Sequence, residues 1–223
     1  KLADFEWARD KVMMGTERRS MVMSEKEKRN TAYHEAGHAL VAALLPKSDP
    51  IHKVTIVPRG RALGLTAFLP KHDNHSYDID FLSNRITIAM GGRAAEEIIF
   101  DEVTTGASND IQQATDTIRN MICNWGMSKS FGPIVLGNDN QQNVLGRNIG
   151  KSREFSENTA ADIDKEMRKT IKFHDAKAKK LLRDNINVLH KIVEVLMKEE
   201  TIEGSYILEL LRQNKSKVEP VGG

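Results

Sequence analysis

The sequence predicts a mainly α-helical domain carrying a small β-sheet, an α+β plan with a helical hairpin at its C-terminal end. Apolar residues recur at helical spacing along most of the 223 residues. Only two short stretches, Val54-Thr55-Ile56-Val57 and Leu63 to Phe68, read as strands. The best-marked helix carries His34-Glu35-Ala36-Gly37-His38, an H-E-x-x-H pattern.

Taken in order, Leu2 to Met14 reads as a helix with Phe5, Ala8 and Val12 on one side, ended by Gly15. A second helix runs from Ser24 to Leu45. Ser24 and Glu27 form a capping-box pattern, and Pro46 stops the run. Ala39 to Leu45 is apolar all round, which predicts burial. Pro58 and the Arg59-Gly60-Arg61 turn separate the two strands. Pro70 to Tyr77 is a polar loop; its His72 and His75 lack a nearby cysteine or carboxylate cluster and are not read as metal ligands. Tyr77 to Phe100 is helical, and Gly91-Gly92 within it predicts close backbone packing or a break. Ser108-Asn109-Asp110 opens a helix to Asn124. Between Phe131 and Arg147 a weaker β signal includes Ile134-Val135-Leu136 and Val144-Leu145.

From Ser156 a long helix reaches Arg183, breaks near Asp184-Asn185, and resumes to Lys198. Ile163, Met167, Ile171, Ala178 and Leu182 form one stripe; Ile186, Leu189, Val193 and Leu196 form another. The stripes predict two antiparallel helices packed on each other. A short helix covers Tyr206 to Leu211, and Val218 to Gly223 is expected to fray.

Composition excludes several roles. With 33 basic and 31 acidic residues the net charge is +2, which makes no electrostatic case for nucleic acid or a membrane surface. The single cysteine, Cys123, cannot form an internal disulfide and fits a reducing compartment; its apolar helical setting predicts a buried, inert thiol. No stretch is long and apolar enough to span a bilayer, and none of these residues is expected to act as a signal peptide. The chain opens at Lys1 without an initiator methionine and is expected to be a piece of something longer.

The chemistry lies in the motif. Residues four apart share one helix face, so His34 and His38 can point at one metal ion. Glu35 can reach a water on that ion. Each histidine alone would read as a satisfied core residue; two with a glutamate at this spacing point to zinc. A catalytic zinc needs a third protein ligand. A further glycine and histidine at positions 41 and 44 would supply it in one peptidase class, but Val41 and Leu44 close that route. Glu96, Glu97 and Asp110 are the remaining candidates, and spacing does not choose among them.

The stretch from about Phe5 to Leu211 resembles the peptidase domain of FtsH-type AAA+ zinc metalloproteases. The resemblance rests on Met13-Met14-Gly15 with Glu17-Arg18-Arg19-Ser20, on Thr31-Ala32-Tyr33 and the motif, and on Val54 to Gly64. It continues through Gly91-Gly92-Arg93-Ala94-Ala95-Glu96-Glu97 and Thr105-Gly106-Ala107-Ser108-Asn109-Asp110. It implies one Zn²⁺ per chain held by His34, His38 and Asp110, with Glu35 as general base. Glu96 and Glu97 then take supporting roles, with Glu97 the rival third ligand. It further implies an unfolded or membrane-extracted protein substrate added as a strand along Gly64, Leu65, Thr66 and Ala67. A homo-hexameric ring is implied, fed by an ATPase domain on the N-terminal side, with membrane contact only through missing N-terminal segments. The full-length protein would then be membrane-anchored with this domain in the cytoplasm, at a bacterial inner membrane or an organelle equivalent. No G-x-x-x-x-G-K-[ST] phosphate loop occurs in this chain, so ATP enters only through that other domain. The loop Lys71 to His75 departs from the shorter acidic turn of many such proteins.

On this reading residues 1–23 are a connector, 24–150 the zinc peptidase core, 151–214 a C-terminal helical region and 215–223 a flexible tail. Activity should fall as pH drops through about 6.5, where protonated histidines release metal. The other reading is a non-catalytic ring-assembly module with a structural metal. Structural zinc sites are closed by four protein ligands, often with cysteine, and this chain has one cysteine.

Overall fold

A computed structural model describes residues 2–60, 62–70, 76–136 and 155–218. The elements are α1 (Leu2–Met14), α2 (Glu25–Leu44), β1 (Ile51–Thr55), β2 (Leu65–Phe68), α3 (Ile79–Phe100), a 3-10 turn (Thr105–Ala107) and α4 (Ser108–Cys123). They continue with α5 (Glu157–Asp184), α6 (Ile186–Glu199), β3 (Thr201–Glu203) and α7 (Gly204–Val218). Helix predominates and the sheet is small, as the sequence predicts.

Helix α2 is the axis of the core. Its start is the predicted capping box: Ser24 Oγ accepts from Glu27 N at 3.2 Å, and Glu27 Oε2 accepts from Ser24 N at 3.0 Å. Ala32, Ala36, Ala39, Leu40 and Val41 are fully buried. Helix α3 lies directly against α2 at the glycines of the two helices. A side chain on Gly91 would stand 2.8 Å from the Gly37 carbonyl oxygen, and one on Gly37 would strike the Gly91 carbonyl. Gly91-Gly92 therefore marks close packing, and α3 runs unbroken from Ile79 to Phe100.

The sheet is antiparallel in the order β2-β1-β3, with Val54 opposite both Thr66 and Ile202. The predicted strands shift slightly. The first covers Ile51–Thr55, because beyond it Ile56 N donates to Glu200 O at 2.9 Å, outside the ladder. The second begins at Leu65, two residues later than expected. Strand β3 has no counterpart in the sequence reading; three residues are too few to show a period of two. The last helix extends over Gly204–Val218, longer than the predicted Tyr206 to Leu211. It starts at Gly204, where a Cβ would collide with the Ile51 carbonyl.

The C-terminal stripes bury differently from the antiparallel pair expected. The break falls at Asn185 as predicted, but α5 packs mainly on α3 and α4, whereas α6 packs on α2. Contacts between α5 and α6 are few. The stripe residues Ile163, Ala178, Leu182, Leu189 and Leu196 instead join the core cluster that α2 and α3 build. In α1 Phe5 is 77% and Val12 86% exposed. The helix is held by Met14, which is buried, and by Asp10, which accepts from Lys53 Nζ at 2.6 Å and lies 2.9 Å from His52 Nε2. Cys123 is half-buried at the end of α4 rather than buried. Ile134 to Leu136 form no strand; Leu136 N donates to Cys123 O at 2.8 Å. Val144-Leu145, the His72/His75 loop and residues 219–223 lie outside the described residues.

Candidate metal centre and active site

The two motif histidines sit one turn apart on α2 with their rings edge to face, 4.7 Å between centroids. Their Nε2 atoms are 3.0 Å apart. Asp110, in the first turn of α4, places Oδ2 3.1 Å from His34 Nε2 and 3.3 Å from His38 Nε2. Three ligand atoms thus converge from two elements distant in sequence. Gly92 on α3 makes room for them: a Cβ there would lie 2.6 Å from both Nε2 atoms.

The far sides of both imidazoles are held. His34 Nδ1 lies 2.7 Å from Glu96 Oε1, and His38 Nδ1 lies 2.7 Å from the Ile88 carbonyl oxygen. A carbonyl can only accept, so His38 donates from Nδ1 to Ile88 O, which turns Nε2 toward His34 and Asp110. Glu96 is 3% exposed, and its second oxygen accepts from Thr104 N at 3.3 Å and Thr104 Oγ at 3.0 Å. Thr104 Oγ in turn accepts from Gly106 N at 3.2 Å, capping the 3-10 turn that leads into α4. One buried carboxylate therefore braces both the His34 ring and the loop that delivers Asp110.

Glu97 is not in this cluster. It pairs with Lys179 at 2.7 Å and Arg93 at 3.1 Å, tying α3 to α5. Glu35 is buried on the side of α2 that meets β2, where Thr66 Oγ donates to Glu35 Oε2 at 2.8 Å and lies 3.1 Å from Glu35 O. Gly64 presses on the same side chain, since a Cβ there would meet Glu35 Cγ at 2.8 Å. β2 is an outer strand of the sheet, so Leu65, Thr66 and Ala67 lie along an edge with Gly64 just before them, and Gly64 and Thr66 meet Glu35.

Electrostatics follow the contacts. Burial by itself would lower the His34 pKa, but the carboxylates of Asp110 and Glu96 override it and raise it to about 10. For Asp110 burial pushes upward, and hydrogen bonds from His34 and His38 win, holding the carboxyl far below its usual range. Glu96 is lowered in the same way, its burial outweighed by His34 and Thr104.

The donor set fits zinc. Two imidazole nitrogens and one carboxylate oxygen make a three-ligand site with room for a fourth partner. Bonds of ~2.0 Å in a tetrahedron separate ligand atoms by about 3.3 Å, close to the 3.0–3.3 Å seen here. The structure brings together His34, His38 and Asp110, all named from the sequence, and sets Glu35 against Thr66. Sequence reasoning did not find Ile88 O or Thr104, whose roles depend on how α3 and the 3-10 turn pack, nor the Thr66–Glu35 contact.

The sequence model of peptidase family M41 matches residues 21–210. The chain belongs to peptidase family M41. The matched M41 region opens just before α2 and ends within α7, so it contains every residue of the cluster. Among similar proteins, the ATP-dependent zinc metalloprotease FtsH of Magnetococcus marinus is 50% identical over 211 residues, covering 95% of this chain and 31% of the relative. That of Myxococcus xanthus is 49% identical over 211 residues, covering 95% and 33%. ATP-dependent zinc metalloprotease FtsH 4 of Sorangium cellulosum is 52% identical over 208 residues, covering 92% and 32%. The chain spans about a third of the length of these M41 relatives.

Proposed function

We propose that this chain is the zinc-dependent endopeptidase domain of a longer, ATP-driven protease. The observation that carries the reading is the convergence of His34 Nε2, His38 Nε2 and Asp110 Oδ2, with Glu35 beside them on the same helix. His34, His38 and Asp110 would hold one zinc ion. When bound, the ion supplies Lewis acidity, acidifying a water and polarising the scissile carbonyl.

This chain's residues do the rest. The Glu35 carboxylate accepts the proton of the attacking water and returns it to the leaving amine nitrogen as the C–N bond breaks. Glu96 and the Ile88 carbonyl hold the imidazoles in the tautomer that leaves Nε2 free. The outer edge of β2, at Gly64, Leu65, Thr66 and Ala67, offers main-chain groups to an extended substrate, which favours unfolded chains over folded ones.

The names of the relatives and the share of their length that this chain covers support the wider reading. An ATPase domain outside this chain would deliver substrate, in a homo-hexamer anchored to a membrane by segments outside this chain. Among the described residues no helix is long and apolar enough to cross a membrane. Residues 1–23 would connect to the motor, 24–150 form the peptidase core, 151–214 complete it, and 215–223 form a tail.

Glu35→Gln tests the reading. The variant should bind zinc at one ion per chain while cleavage of an unfolded protein falls by ~10²–10⁴-fold. Undiminished cleavage would sink it.

A further inference from the structure

Glu35 has three rotatable side-chain bonds, and a proton carrier must stand in one place to serve both water and amine. Two contacts from the edge strand restrain it. The Gly64 backbone approaches its methylene so closely that no side chain fits between them. The Thr66 hydroxyl then lies 2.8 Å from Oε2. Threonine suits that task. Its branched Cβ restricts χ1, so the hydroxyl direction is set by the strand rather than by a mobile side chain. Thr66 is paired through its main chain opposite Val54, which fixes the backbone that carries the hydroxyl.

We propose that Thr66 is a positioning residue for the reaction: its hydroxyl holds the Glu35 carboxylate in the orientation from which it takes and returns the proton. The inference rests on the endopeptidase reading above. It separates two roles along one strand, since the main chain at 64–67 meets the substrate whereas the Thr66 side chain serves Glu35. Pre-set orientation speeds the chemical step without changing how tightly the substrate adds to the edge. Loss of the hydroxyl should therefore appear in kcat and not in KM.

The test compares Thr66→Val, Thr66→Ser and Glu35→Gln in the zinc-loaded protein of full natural length, with unfolded casein as substrate. Thr66→Val keeps the shape and removes the donor; kcat should fall about tenfold, with KM within about twofold. Zinc affinity, read by chelator competition, and the thermal midpoint should match the parent. Thr66→Ser should restore most of kcat. A parental kcat in Thr66→Val would overturn the inference, as would a raised KM at constant kcat, which would place the hydroxyl on substrate. Weakened zinc binding or a lowered midpoint in Thr66→Val would assign it a structural role instead. If Glu35→Gln is inactive while Thr66→Val is not, only this inference fails. If Glu35→Gln cleaves normally, the endopeptidase reading fails with it.

Discussion

At the scale of single residues, the cluster is decided by which carboxylate reaches the two Nε2 atoms. Asp110 does, and Glu97 is spent on Lys179 and Arg93. Replacing each by alanine should separate them. Asp110→Ala removes a proposed ligand and should abolish stoichiometric zinc binding in equilibrium dialysis. Glu97→Ala should retain one ion per chain and lose no more than about 1 kcal/mol of stability, because its partners are partly exposed. Zinc retained by Asp110→Ala and lost by Glu97→Ala would reverse the assignment. Asp110 was legible as a candidate because Ser108-Asn109-Asp110 looks like a helix start. Spacing could not rank it above Glu96 or Glu97, since the angle between α3 and α2 is set by packing. Glu96 shows why: one residue from Glu97 on α3, it points at His34 Nδ1 rather than at α5.

At the scale of elements, the α2–α3 contact does most to build the site. Gly37 and Gly91 allow backbone contact, and Gly92 clears space for both imidazoles. A glycine inside a helix normally costs about 1 kcal/mol against alanine, so Gly37→Ala would stabilise an isolated α2. In the folded chain the added methyl meets the Gly91 carbonyl, which is backbone and cannot swing aside. Overpacking of that kind costs about 1–3 kcal/mol, and here its upper end should prevail. Gly37→Ala should therefore lower stability by a net ~1–2 kcal/mol in chemical denaturation. A gain in stability would show that α3 can shift away. The capped start of α2 and the break at Asn185 were readable because caps and turn residues act locally. The partners of α5 and α6 were not, because a stripe says which face is buried and not against what. Helix α1 is a further case, since the side that carries Phe5 and Val12 lies exposed while Asp10 and Met14 make the attachment.

At the scale of the whole molecule, stability should depend on His174. It is 4% exposed on α5, with Nδ1 2.7 Å from Thr87 Oγ, and burial, helped by Lys177, pushes its pKa down to about 4. The unfolded chain would protonate it near 6.5, so between about 6.5 and 4 unfolding takes up a proton that the folded state excludes. The stability lost as pH falls across that window should be on the order of 3 kcal/mol. Thr87 Oγ donates to the Ser83 carbonyl at 2.9 Å and so accepts from Nδ1–H, and it is the burial of the charge that disfavours protonation. Denaturant midpoints of the metal-free protein and of His174→Gln at pH 7 and pH 4.5 check this, and an identical pH slope in the two would refute it.

Sequence alone determined what is local: the capped start of α2, the break at Asn185, a pair of short strands, and the spacing of His34, Glu35 and His38 along one helix. One turn of α2 is enough to bring His34 and His38 onto one face with Glu35 beside them. Tertiary structure decided everything that requires two elements to meet. It chose Asp110 over Glu97 as the carboxylate at the cluster, placed Glu96 behind His34, and laid Thr66 against Glu35. The reason is physical. Local hydrogen-bond periodicity fixes directions along one element, whereas the distance and angle between elements depend on how side chains of both fit, here through the glycines of α2 and α3.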